Sequence, residues 1–562
     1  MSTSTFSKKL DELITHAVEY FQTHYVEKYR EHSKNVQSQE NDDSIGNVHI
    51  YSHTDTDGLC AASILSIALK RENINYHITI LKQLQEKNLK EIAVTMNENR
   101  EFLFFIDFGS GHLNLLAEYL ENGKFIILDH HQPLKTQEPL SLSGFHANSY
   151  FAEVNGSSDI CGASMAYLFA KKIRKDNIDL SSLAVVGAIG DHQNSGEQQS
   201  LTGENSAILQ DAIDSNQIVQ DVEPLLPRTV SLPLGLANKL PEGINLFDND
   251  IKKSTFFLKK IGVKHEDGFG HPRFLPDLSA SEKRTLTSEL VKKFLGENTD
   301  SSKTISDLLI THYLLPHFKE YECYDAKDFS KMINACGRLN IPSIGIACCV
   351  IRSDEIIKKG LEASKKYSEN LQDGVKWLIE KKKFTHFKAI EAFDGEDRIS
   401  EYLVGVVCTI LIDSSEFDKS TEVDTSKPII GYAHSGENEY KISGRCSEDV
   451  IKKGVDLSQA IRSTCTILGL KAKGGGHPPA AGAYVPKNLM RQFLSQLDQQ
   501  IRLQLGEKIE DKPATPKISK KERINKPEKA PEKKKSTQKP TVDKKTKPPT
   551  KKKSKGLDNF WG

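Results

Sequence analysis

The sequence predicts an α/β protein built on a largely parallel sheet flanked by helices, with a helical insertion, a smaller second α/β unit and a disordered basic tail. Three observations predict it. Between residues 48 and 190 short apolar runs alternate with amphipathic ones, the pattern of strands and helices in a sheet covered on both faces. A second alternation occupies about 385 to 505. Between the two the texture turns lysine-rich and helical, and beyond 510 it becomes Lys, Pro, Thr and Glu with almost no large apolar residues, which cannot support a core.

In chain order, residues 1–45 read as an N-terminal helical extension, because LDELITHAVEYFQTHYVEKYREH repeats apolar residues at three- and four-residue steps before NDDSIG breaks it. Residues 46–230 form the first α/β domain. VHIYS, ITIL, EFLFFIDF and KFIILD are its strands, and AASILSIALK and SMAYLFAKKIRK are helices. The apolar run AVVGAIGD fits helix or strand equally well. Residues 231–335 are a mostly helical insertion and 336–384 connecting helices. Residues 385–506 are the second α/β domain, 507–552 a disordered Lys/Pro-rich linker and 553–562 a terminal peptide. No internal repeat is visible.

A chain of 562 residues with 27% charged and 37% hydrophobic residues accommodates two to four domains. It contains no apolar run long enough to span a bilayer and no basic-then-apolar start, so a cytoplasmic, non-membrane protein is expected. Its nine cysteines lack paired spacing and read as reduced thiols. The 76 basic and 76 acidic residues balance, but residues 511–555 carry 18 basic and 5 acidic ones. A basic tail on an acidic body suits a tether for nucleic acid, and equally a solubilising segment.

The chemistry is announced by YSHTDTDGLC, residues 51–60, where His53, Asp55 and Asp57 alternate and would share one face of a continuing strand. An isolated D-x-D-G is a helix cap; a metal site needs more ligands elsewhere. They appear at the ends of later apolar runs: Asp107 in FFIDFGSG, Asp129, His130 and His131 in FIILDHHQP, and Asp191 in AVVGAIGDHQ. Cations would cancel the repulsion among such carboxylates.

These strings, in this order, resemble the DHH phosphoesterase superfamily, named for its Asp-His-His motif. GGGHPPAAG resembles the signature of the DHH-associated substrate-binding domain. NACGRLNIPSIGIACC and LPLGL…FLKKIGV are similar to the archaeal RecJ-like nucleases. The resemblance covers roughly 46–500, so that 46–230 is the DHH domain and 385–506 the DHH-associated domain. It implies two divalent ions. His53, Asp55 and Asp107 would hold the first, and Asp57, Asp107, His130 and Asp191 the second. Mixed carboxylate and imidazole ligands favour manganese over magnesium. Asp129 would orient a ligating imidazole, and His131 would face the scissile phosphate as a donor or as general acid. The implied reaction is two-metal phosphodiester hydrolysis.

The glycines of GGGH, with Gly475, Gly476 and His477, would surround a phosphate. Arg445 in KISGRC would take a second phosphate or a stacked base. By the same resemblance Ser157, Ser158 and Gly162 lie near the site. The last ten residues, KSKGLDNFWG, resemble the peptide that docks on the sliding clamp PCNA through Leu557, Phe560 and Trp561, with Ser554 where glutamine usually stands. The expected function is a single-strand exonuclease on DNA or RNA in replication or repair. The alternatives are a phosphoesterase on short oligonucleotides or cyclic dinucleotides and a structural helicase-associated subunit. GINS is an expected partner in the replication readings.

Overall fold

The computed structural model describes residues 7–29, 46–133, 141–226, 230–240, 244–297, 304–381, 383–413, 423–470 and 474–507. The basic run and the clamp-like peptide therefore lie outside the described residues.

The first sheet has five parallel strands in the order β2-β1-β3-β4-β5. They are β1 (Val48–His53), β2 (Tyr76–Leu81), β3 (Phe102–Ile106), β4 (Phe125–Asp129) and β5 (Phe145–Asn148). Every residue of β3 and β4 is buried, and the two-residue period sorts them between two layers. Phe102, Phe104 and Ile106 pack into one core, and Leu103 and Phe105 into the other. The smaller layer is closed by α3 (Glu86–Asn99) and α4 (Leu113–Tyr119), through Leu89, Ile92, Leu113 and Leu116.

The larger layer holds α1 (Lys8–Phe21), α2 (Thr56–Arg71), α5 (Gly162–Ile173) and α6 (Ser181–Gly190). Leu10, Ile14, Ala17 and Phe21 bury one face of α1 against the sheet. The amino-terminal helix is thus part of this core. α2 is buried almost all round, between α5 and α6, which its run of Ala and Ser makes sterically feasible. The ambiguous run AVVGAIGD is helical: it is α6, with Asp191 as its C-cap.

Beyond α7 (Gly203–Asp214), the strands β6 (Val219–Pro224) and β7 (Leu309–Leu314) pair antiparallel. They close the base of a separate helical module with its own core, containing α8 (Leu232–Asn238), α9 (Ile251–Lys260), α10 (Ala280–Glu297) and the short α11 (Ile305–Leu308). The chain then returns to the first core. Phe329, Met332 and Ile333 of α12 (Ala326–Arg338), and Cys348 and Cys349 of α13 (Pro342–Val350), pack beside the sheet helices.

The helix α14 (Asp354–Lys381) belongs to two cores: Ile357 lies in the first, and Val375 and Leu378 in a cluster of the second domain. That domain is a six-stranded mixed sheet, β12-β13-β11-β10-β9-β8. Its strands are β8 (Phe384–His386), β9 (Glu391–Asp394), β10 (Ile429–Ser435), β11 (Glu439–Arg445), β12 (Gly474–His477) and β13 (Ala480–Pro486). α15 (Val404–Asp413) covers one face, and α16 (Glu448–Lys452), α17 (Leu457–Ile467) and α18 (Met490–Gln504) lie with the other. Among the described residues no helix is long and apolar enough to cross a membrane.

Candidate metal centre and substrate cleft

The carboxyl ends of β1, β3 and β4 and the last turn of α6 meet over the larger layer, as ligand sites do in parallel sheets. His53 is the last residue of β1, and there the strand stops. The alternation expected to put His53, Asp55 and Asp57 on one strand face therefore does not apply. Asp55 is the N-cap of α2, its Oδ1 accepting from the Gly58 N–H at 3.1 Å, and Asp57 lies in the first helical turn. This strand–turn–helix geometry divides the three between two groups: His53, Asp55 and Asp107, and Asp57, His130 and Asp191. Within each group one ligand atom per residue lies within 4.8 Å of the others.

Asp107 stands between the groups. It follows β3 in a left-handed backbone conformation (φ 64°) and is only 2% exposed. Its Oδ1 is 3.2 Å from His130 Nε2, while the buried Oδ2 has no hydrogen-bond partner. A buried carboxylate oxygen left unpaired is costly, and a cation is the partner that would relieve it. Gly162 makes room for this residue: a Cβ there would sit 2.7 Å from Asp107 Cβ.

Each imidazole has one nitrogen committed to a carbonyl. His53 donates from Nε2 to the Lys82 carbonyl at 3.1 Å, which leaves Nδ1 facing Asp55 Oδ2 at 2.7 Å and Asp107 Oδ2 at 3.7 Å. His130 donates from Nδ1 to the Gly156 carbonyl at 2.6 Å, which leaves Nε2 facing Asp107, Asp57 and Asp191. Fixing the outer nitrogen as a donor directs the inner lone pair at the centre.

Asp57 is held by the start of α5, accepting from the Gly162 N–H at 2.6 Å and the Ala163 N–H at 2.8 Å. Burial, and next the charge of Asp107, nonetheless push its carboxyl well above the usual range. Burial likewise lifts Asp191 to about 6, with Asp107 adding to it. For both histidines burial works against protonation, but the surrounding carboxylates outweigh it and raise the imidazole pKa. Two carboxyls and two imidazoles held too high are what a metal-ligand set looks like when protons substitute for cations. Asp55 goes the other way: burial works upward, but His53 outweighs it and holds the carboxyl well below the usual range. The two imidazoles and four carboxylates fit divalent ions.

Asp129 has a different task. Its Oδ2 accepts from the Ser110 N–H at 2.9 Å, and its Oδ1 from the His130 and His131 N–H groups and from His131 Nδ1 at 2.8 Å. The imidazole it orients is that of His131, whereas the sequence assigned it a ligating one; His130 is held by the Gly156 carbonyl instead. The His131 side chain is about half exposed. Burial lowers its pKa, but the Asp129 carboxylate outweighs burial and raises it to about 9.

The second domain leans over this centre on the β2 side. Lys82, just after β2, pairs with Glu401 and lies 4.0 Å from the Tyr402 ring centroid, and Tyr402 donates to Asn340 at 3.0 Å. In the cleft Arg445 on β11 donates to its neighbour's carbonyl, Gly444 O, and burial, then the charge of Arg338, disfavours its protonated form. Lys441 on the same strand is pulled down to about 8 by burial, against Glu401, with Arg445 and Arg338 adding to the fall. Arg338, at the end of α12, has a buried Nε without a hydrogen-bond partner and also acts on Asp55. These three cations crowd beside the carboxylate centre and invite an anion. Gly475, Gly476 and His477 lie on β12, the edge strand paired with β13, where Gly475 has open space before it and His477 is exposed.

Of the other residues singled out in the sequence, Gly162 is at the centre, whereas Ser157 is exposed and bonded within its own loop. Ser158 donates to neighbouring Asp159. Sequence reasoning missed Lys441, Arg338, Gly156 and Gln193. The buried Gln193 amide donates to the Gly156 and Ile160 carbonyls and to Asp191 Oδ2 at 2.8 Å, steadying the second group. Its nearness to Asp191 in GAIGDHQ was the available signal.

Comparison with known proteins agrees with this anatomy. Residues 47–190 match the DHH family, N-terminal domain, and residues 420–503 the DHHA1 domain. An uncharacterized protein of Methanocaldococcus jannaschii is 29% identical over 464 residues, covering 82% of this chain and 94% of that one. CDC45 from Entamoeba histolytica superposes with a TM-score of 0.53 at 13% identity, over 88% of this chain and 99% of that one. RecJ from Thermus thermophilus, solved in complex with Mn2+, matches with a TM-score of 0.48 at 14% identity over 89% of this chain. The chain spans 56% of that RecJ's length. With a DHH-family N-terminal domain and a DHHA1 domain both present, and a carboxylate–imidazole cluster suited to divalent cations over the parallel sheet, the chain is a DHH-domain protein.

Proposed function

We propose that the chain is a divalent-metal-dependent nuclease that removes nucleotides from an end of single-stranded DNA or RNA. His53, Asp55 and Asp107 would hold one cation, and Asp57, Asp107, His130 and Asp191 a second, with manganese the better match to the imidazole-containing set. The observation that carries the reading is the buried Asp107 Oδ2, without a hydrogen bond, between two ligand groups whose imidazole lone pairs face inward. When bound, such cations activate water and neutralise charge on a phosphoryl group in flight. The protein's own part is positional. Asp129 accepts from His131 Nδ1–H and keeps the imidazole protonated, so that its Nε2–H would be the donor offered to a phosphate oxygen or a leaving group. Arg338, Lys441 and Arg445 grip phosphate on the DHHA1 side, with Gly475, Gly476 and His477 at the edge of the same sheet.

Two other readings stay within reach of one experiment. A small-substrate phosphoesterase would use the same centre. A structural role at the replication fork, with GINS as partner, is favoured by the CDC45 fold match but leaves the complete ligand set without purpose. Docking on PCNA through Leu557, Phe560 and Trp561 rests on the sequence alone. Purified protein incubated with end-labelled single-stranded DNA and RNA, in manganese, magnesium or chelator, separates these readings. Stepwise mononucleotide release that requires the metal supports the nuclease. Hydrolysis of dinucleotides alone supports the small-substrate enzyme, and inactivity on every substrate supports the structural role.

A further inference from the structure

We infer that Phe151 is a stacking platform for a nucleobase, on the far side of the scissile linkage from the DHHA1 domain. The inference deepens the nuclease reading and rests on it. Phe151 is 53% exposed and stands in the 3-10 turn Ser149–Ala152 that follows β5. The strand register puts Asn148 beside Asp129, so this turn rises beside the Asp-His-His motif.

The loop is tied to both histidines. At its start, Asn148 Nδ2 donates to the His131 carbonyl at 2.8 Å, and Asn148 Oδ1 accepts from the Tyr150 N–H at 2.9 Å. At its end, the Gly156 carbonyl accepts from His130 Nδ1. Ala152 is buried against the first core and Glu153 pairs with Lys9 of α1. Phe151 itself meets the His146 ring edge-on, with centroids 4.9 Å apart. A loop this firmly anchored presents its phenyl ring at little entropic cost.

The placement has a direction. The DHHA1 domain is tied to the β2 edge, Asp107 follows the central β3, and Phe151 rises at the β5 edge. Two strand spacings, about 10 Å, separate β3 from β5. A strand gripped by Arg445 and crossing the centre would deliver its next base toward Phe151. A phenyl face accepts any base, so the contact favours nucleic acid over polyphosphate without selecting sequence.

The test uses the full chain with manganese and oligonucleotides carrying one abasic residue at successive positions from the end. In the wild type, one position should lower kcat/KM by about 5- to 100-fold when abasic. Phe151→Ala should cost a similar factor on the intact oligonucleotide and be indifferent to the abasic residue, while Phe151→Trp restores the wild-type pattern. A second readout needs no turnover. With 2-aminopurine at that position and calcium as the metal, binding should quench fluorescence in the wild type and not in Phe151→Ala. Independent, additive losses, or quenching that survives Phe151→Ala, would overturn the platform while leaving the nuclease intact. A wild type that cleaves no oligonucleotide at all would overturn the nuclease reading, and the platform with it.

Discussion

The contribution of the carboxylate–imidazole centre to the stability of the metal-stripped protein should fall as pH rises from 4.5 to 8, and manganese should reverse the trend. The perturbation is removal of divalent ions by chelator. Asp191 carries a folded pKa of about 6 against an ordinary 3.8, so the folded state holds its proton more tightly than the unfolded one. The resulting destabilisation sets in as pH climbs through 4 and is complete above 6. Two pKa units correspond to about 3 kcal/mol. Asp57, raised in the same direction, adds to the loss. His53 and His130 are raised as well, so their stabilisation is full below 6.5 and drains away above it. All four slope the same way, whereas His146, lowered to about 4 by burial, slopes the opposite way, so the centre's share is read as the wild type against Asp107→Asn. Metal binding needs the deprotonated ligands, so the gain on adding manganese should be small at pH 5 and several degrees in melting midpoint at pH 8. Differential scanning fluorimetry across that range, with and without manganese, reads both. Asp107→Asn should flatten the metal-free slope and abolish the manganese gain. A metal-free midpoint that changes with pH no differently from that of Asp107→Asn, or a manganese gain equal at both ends, would refute the reasoning.

Arg338→Met and Arg445→Met should each raise KM for an oligonucleotide about 10- to 100-fold, the worth of a charge-assisted hydrogen bond, and leave the manganese-induced stabilisation intact. Asp129→Asn should release His131 from the carboxylate that holds its pKa near 9. The alkaline limb of the pH–rate profile should then move to lower pH, with kcat reduced about 100-fold or more. Gly162→Ala places a methyl group 2.7 Å from Asp107 Cβ. It should cost about 1–3 kcal/mol by urea denaturation and weaken manganese binding by calorimetry.

The parallel sheet and the candidate ligand set were legible because most candidate ligands stand at the end of an apolar run, as Asp107 follows FLFFI and His130 follows FIILD. Local order carries that signal. It could not tell which residues continue the strand: after His53 the chain turns into α2, and the helix, rather than strand alternation, brings Asp57 inward. Partners that are backbone carbonyls, such as Gly156 for His130 and Lys82 for His53, leave no side-chain signature. Arg338 and Lys441 carry ordinary identities; only the closure of two distant domains turns them into a cationic cleft. The helical character of α6 was undecided in the sequence because a helix buried on every side shows no amphipathic period.

The helix α14 gives the molecule a built-in ruler. Its 28 residues span about 42 Å at 1.5 Å per residue, with its early turns embedded in the first core and its late turns in the second. A rod seated at both ends fixes the gap between Lys441 and Arg445 in the second domain and the carboxylate–imidazole cluster in the first. The Lys82–Glu401 clasp closes that gap from the other side. On the nuclease reading, the length of each excised piece is then set by the register of one helix, and lengthening α14 by a single turn would change the gauge without touching a catalytic residue.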